Sequence, residues 1–96
     1  MDVLVTYDIE TKTLAGQRRL LQVARLCEGY GERVQYSVFE CRLGSAALAR
    51  FIAELEGSIE PAKDSVNLYR FSGTIPDAKL SLGRAKPHDL GGPWIL

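Results

Sequence analysis

The chain has 96 residues, and 12 Lys and Arg balance 12 Asp and Glu, for a formal charge of zero. That length suits one domain, residues 1–96, with much of its surface left exposed. The charge balance excludes a globally basic nucleic-acid protein, so phosphate contacts must come from a local arginine cluster. No stretch is long enough to cross a bilayer, and no basic segment precedes the first apolar run, so the expected location is cytoplasmic, without membrane contact.

Met1 to Glu10 reads as a strand that ends on Asp8. Val3, Val5 and Tyr7 fall on one face and Leu4, Thr6 and Asp8 on the other. Apolar residues on both faces predict a central strand with both faces covered. A polar loop follows, and Thr11 or Thr13 caps a helix from about Ala15 to Cys27 or Glu28. Leu20, Ala24 and Cys27, with Leu21 and Val23, form its apolar stripe, and Arg18, Gln22 and Arg25 its exposed one. Gly29 and Gly31 end it at the left-handed cap position, and Gly16 weakens its first turn.

In Glu32 to Leu43 the apolar parity switches, from Val34, Tyr36 and Val38 to Phe39, Cys41 and Leu43. A flat strand does not change its buried face midway, so the pattern predicts a bend, bulge or tight reversal around Tyr36–Val38. Ser45 caps a second helix with Leu48, Phe51, Ile52 and Leu55 buried, Arg50 paired with Glu54, and Gly57 at its end. Ser65 to Phe71 is a further strand, and Ala78 to Leu82 a short additional one. Residues 87–96 form a turn-rich connector and an apolar tail, Trp94-Ile95-Leu96, suited to strand addition at a sheet edge. The order β-α-β-β-α-β predicts an α+β, ferredoxin-like fold: an antiparallel sheet, two helices on one face, and an extra C-terminal strand. Two helices leave the other face of the sheet without cover, which predicts a two-fold homodimer.

Glycine-loop, serine-hydrolase and zinc-protease motifs are absent. His88 stands alone in a loop and reads as a surface residue. Cys27 and Cys41 have no metal-ligand spacing and read as buried reduced thiols. Asp8 remains, with Glu10 near it. It serves either as a turn-starting residue or as a ligand for Mg²⁺, which one or two carboxylates can hold with help from substrate phosphates. Two copies across a dimer axis would form a diacid suited to phosphodiester hydrolysis. Arg18, Arg19, Arg25, Arg33 and Arg42 either line solvated faces or grip a nucleic-acid backbone. Tyr36, Phe39, Tyr69 and Phe71 are core or dimer contacts, or a base-stacking platform.

The strand ending Tyr7-Asp8, the helix with Arg18-Arg19-Leu20, and above all the run Gly31-Glu32-Arg33-Val34-Gln35-Tyr36-Ser37-Val38-Phe39-Glu40-Cys41 resemble the small CRISPR-associated adaptation nucleases, the Cas-two family. The resemblance implies a ferredoxin-like homodimer joined through its sheets, and a Mg²⁺-dependent endonuclease acting on RNA or double-stranded DNA. It also implies a role in spacer acquisition, in which the dimer sits between copies of the CRISPR integrase and holds a DNA duplex. Carried over by position, Asp8 matches the catalytic, metal-binding aspartate with Tyr7 beside it. Arg33 and Phe39 match positions tied to activity, and Arg18 and Arg19 match the basic start of the first helix. Leu21 and Gln22 stand where many relatives carry further basic residues. A non-catalytic scaffold and a small regulatory or ligand-binding ferredoxin-like domain are the competing readings.

Overall fold

The structure, a computed structural model, describes residues 1–83. The expected tail at 87–96, its extra strand and His88 lie outside the described residues. Seven elements follow in order: β1 (Asp2–Asp8), α1 (Leu14–Tyr30), β2 (Gly31–Gln35), β3 (Val38–Arg42), α2 (Ser45–Ser58), β4 (Ser65–Arg70) and α3 (Ile75–Ala78). The sheet has four strands in the order β2-β3-β1-β4. Every pairing is antiparallel. This is the ferredoxin-like plan, and β1 is a central strand as its two-faced apolar pattern requires.

Alternation along β1 decides which residues enter the core. Val3 and Val5 are wholly buried and Tyr7 nearly so, together with Phe39 and Cys41 of β3, Val23 and Cys27 of α1, and Phe51 and Leu55 of α2. Full burial of each of the larger apolar side chains contributes about 1.5–3 kcal/mol. The other parity, Leu4 and Thr6 of β1 and Val38 of β3, is only half-buried, and Asp8 is exposed. The sheet thus has one face packed by helices and one only partly covered.

The parity switch in residues 32–43 is a reversal. β2 and β3 form a hairpin around Tyr36 and Ser37, with a register shift between Arg33 and Gln35. Thr13, of the two candidates, caps α1, and its side chain accepts from the Gly16 amide.

Several expectations are corrected. Helix α1 runs on to Tyr30, and Leu21 is exposed rather than part of the buried stripe. Gly31 closes α1 in extended backbone, with φ −165°, not in the left-handed region. Glycine is needed there because a Cβ would run into the Glu40 carbonyl and Cys41 Sγ. Gly16 has a packing reason beyond helix propensity. It is buried, and a Cβ would overlap the Glu10 carbonyl oxygen, so it lets the β1–α1 loop lie against the helix. Gly44, not Ser45, is the cap of α2, and no side chain bonds there. Gly57 lies inside α2, which continues to Ser58. Glu54 accepts from the Tyr30 hydroxyl rather than forming an ion pair with Arg50. Residues 78–82 form no strand: Thr74 accepts from the Asp77 amide and Pro76 suits a first turn, so Ile75–Ala78 is helical.

Candidate nucleic-acid and metal site

Asp8 is the last residue of β1, paired across the sheet with Ser65 of β4. It shares its face with Leu4 and Thr6, opposite the helices. Its carboxylate is therefore presented to solvent from the rigid end of a central strand. Tyr7, one residue earlier, points into the core. Its ring stacks on Phe39 with centroids 6.1 Å apart. Its backbone amide donates to the Ser37 carbonyl at 3.1 Å, and its hydroxyl donates to the Tyr36 carbonyl at 3.3 Å. Tyr7 thus fastens the hairpin turn to the strand end that carries Asp8.

Phe39 is fully buried, so its part is to support that packing. The Arg33 guanidinium carbon lies 5.1 Å from the Phe39 ring centroid, within cation–π range. Arg33 also donates to Glu28 at 3.2 Å. Arg33, Phe39 and Tyr7 therefore form one stack on the helix side of the sheet, and Asp8 stands on the other side. The structure does not gather these residues in one pocket. It joins them through the strand and the turn.

The two arginines at the start of α1 have different roles. Arg18 is exposed and enters no ion pair among the described residues. Arg19 donates to Asp64 at 2.8 Å through Nε and at 3.4 Å through Nη2. The Asp64 side chain has no solvent exposure. Its carboxylate also accepts from the Glu10 amide at 3.1 Å and the Glu60 amide at 2.8 Å. Burial opposes the charge on Asp64, but the Arg19 guanidinium and the two amides outweigh it and hold the carboxyl below its usual range. This clamp ties the β1–α1 loop, α1 and the α2–β4 loop together just beyond Asp8.

Asp64 was not singled out in the sequence, and neither was Asp2. The buried Asp2 carboxylate accepts from Arg42 at 2.9 Å and from the Ile75 amide at 2.8 Å. With Lys79 paired to Glu40 at 3.6 Å, these contacts hold the segment after β4 against one end of the open face. The only sequence signal for either aspartate was an acidic residue beside an apolar strand.

Mg²⁺ takes oxygen ligands and keeps several waters, so one or two carboxylates suffice. Asp8 fits as such a ligand, being an exposed carboxylate at the end of a paired strand. No group of three or more metal-ligating side chains occurs among the described residues.

The fold is that of a ferredoxin-like α+β protein, with a solvent-facing carboxylate at the end of its central strand. The family model for CRISPR associated protein Cas2 matches residues 1–74. A CRISPR-associated endoribonuclease Cas2 of Chlorobaculum tepidum is 41% identical over 96 residues, covering 100% of both chains. A CRISPR-associated endonuclease Cas2 of Halalkalibacterium halodurans is 40% identical over 96 residues, again covering 100% of both. Among solved structures, Streptococcus pyogenes Cas2 superposes with a TM-score of 0.77 at 42% identity, covering 86% of this chain and 100% of that one. The chain belongs to the Cas2 family of CRISPR systems.

Proposed function

We propose that the chain is a metal-dependent phosphodiesterase of CRISPR adaptation. It acts as a cytoplasmic homodimer that binds duplex DNA or single-stranded RNA and partners the CRISPR integrase. The observation that carries this reading is Asp8, an exposed carboxylate at the end of a buried central strand, on the face that α1 and α2 leave open. Half-buried Leu4, Thr6 and Val38 on that face gain cover when a second copy packs there. Such packing brings two Asp8 carboxylates toward one Mg²⁺. When bound, the ion polarises the phosphate and lowers the pKa of a coordinated water.

The chain's own residues do the rest. Asp8 supplies a fixed oxygen ligand. Arg18 draws the phosphate backbone through long-range charge. The Arg33 side chain is 41% exposed and its Glu28 partner 57% exposed. An exposed pair of this kind is weak, so giving up Glu28 costs Arg33 little when it turns to a phosphate. Arg19 is a positioning residue, held by Asp64 behind the loop that follows Asp8. The names of the two bacterial relatives support nuclease chemistry. The tail at 87–96 is the segment proposed to dock on the integrase.

A second reading, a scaffold that binds a duplex without cutting it, is favoured by the single carboxylate each chain supplies. Asp8→Ala separates the two. Purified parent and variant are compared for Mg²⁺-dependent cleavage of single-stranded RNA and duplex DNA. The nuclease reading expects cleavage to be lost with duplex affinity retained. Equal cleavage by both proteins refutes the catalytic role of Asp8.

A further inference from the structure

Tyr36 is 92% exposed, the most solvent-presented aromatic among the described residues. It sits at the tip of the β2–β3 hairpin and enters no ring contact there. An aromatic ring left in water contributes nothing to the core, yet this one is held on a rigid mount. The turn carbonyls of Tyr36 and Ser37 both accept from Tyr7, at 3.3 and 3.1 Å. Tyr7 is in turn fixed by its stack on the fully buried Phe39. The residue that anchors the tip is the one immediately before Asp8.

The flanks of Tyr36 indicate what its ring meets. Gln35 is exposed and Ser37 half-buried. Both are polar, whereas a central anchor of a protein interface is ringed by packed apolar neighbours. A lone ring between polar residues suits a nucleobase, whose π-face stacks on an aromatic without regard to sequence. We propose that Tyr36 stacks on an unpaired nucleobase of a bound strand, so that binding of an unpaired strand depends on this ring and binding of a duplex does not. This inference rests on the nucleic-acid reading given above.

The test uses full-length protein without divalent metal, so that binding is read without cleavage. The probe is a single-stranded oligonucleotide carrying 2-aminopurine, whose fluorescence is quenched on stacking. The parent quenches it. Tyr36→Ala loses the quench and binds roughly 5- to 100-fold more weakly, while Tyr36→Phe and Tyr36→Trp retain both. The same probe base-paired within a duplex binds parent and Tyr36→Ala alike. Tyr36→Ala folds and melts as the parent does, because the ring packs against nothing. An unchanged quench and affinity in Tyr36→Ala overturns the stacking role and leaves the nucleic-acid reading standing. No binding by the parent overturns both. Overturning also follows if sedimentation shows that Tyr36→Ala changes the oligomeric state with no loss of quench, which assigns the ring to a protein contact.

Discussion

Asp64→Ala is expected to destabilise the protein far more than any change at an exposed charge. The carboxylate is fully enclosed and accepts from the amides of Glu10 and Glu60 as well as from Arg19. Removing it leaves two backbone N–H groups without acceptors, and an unsatisfied buried donor costs about 1–3 kcal/mol. Water entering the space vacated in the variant recovers part of that, so the total is about 2–4 kcal/mol. In a domain of this size each kcal/mol lowers Tm by about 4–8 °C, giving a drop of roughly 8–32 °C. The assay is thermal unfolding by circular dichroism at pH 7 and one fixed protein concentration, since the Tm of a self-associating protein depends on concentration. Asp64→Asn, which keeps one acceptor oxygen, falls between the two. If Asp64→Ala melts within about 2 °C of the parent, the clamp does not hold the loops and the argument for it fails.

Arg18→Ala is expected to leave Tm unchanged and to reduce the salt dependence of duplex binding by about one phosphate contact. Arg19→Ala is expected to act mainly by lowering Tm, and equal loss of duplex affinity in two equally stable variants would contradict this division. Burial pushes the Cys27 thiol up to about 12 and Cys41 up to about 11. Neither is expected to react with iodoacetamide at pH 8 in the native protein, and both react once it is unfolded; rapid native labelling refutes their enclosure. The acid side of the stability profile follows from Asp2 and Asp64, whose carboxyls are both held below the ordinary value of 3.8. A lowered folded pKa means the unfolded chain binds protons first as pH falls. Their contribution is complete above 3.8 and is lost below it as pH passes through the lowered values. Acid unfolding of Asp64→Asn should therefore show a shallower pH dependence than that of the parent.

Much of the scaffold was legible because period-2 alternation is a strong local signal. Val3, Val5 and Tyr7 marked the core face of β1 and put Asp8 on the other side, as found. The parity break between Val38 and Phe39 marked the hairpin, since a one-residue switch moves every side chain to the opposite face. The Arg19–Asp64 clamp was not legible, because the partners lie 45 residues apart and no local pattern pairs them. Arg19 looked equivalent to Arg18, though α1 turns them to different surroundings. The packing need for Gly16 was hidden for a similar reason: it comes from the Glu10 carbonyl folding back on the helix, a contact that no helix propensity reveals. Alternating Leu80 and Leu82 suggested a strand, but Thr74 and Pro76 set a helical turn just before them.

The proposed site needs two chains and one ion. Its most direct test is a Mn²⁺ titration followed by electron paramagnetic resonance, with the protein saturated by a cleavage-resistant oligonucleotide. A shared site between two Asp8 carboxylates gives one tightly bound ion per pair of chains in the parent and none in Asp8→Asn. One ion per chain, or binding unchanged in Asp8→Asn, contradicts the shared site.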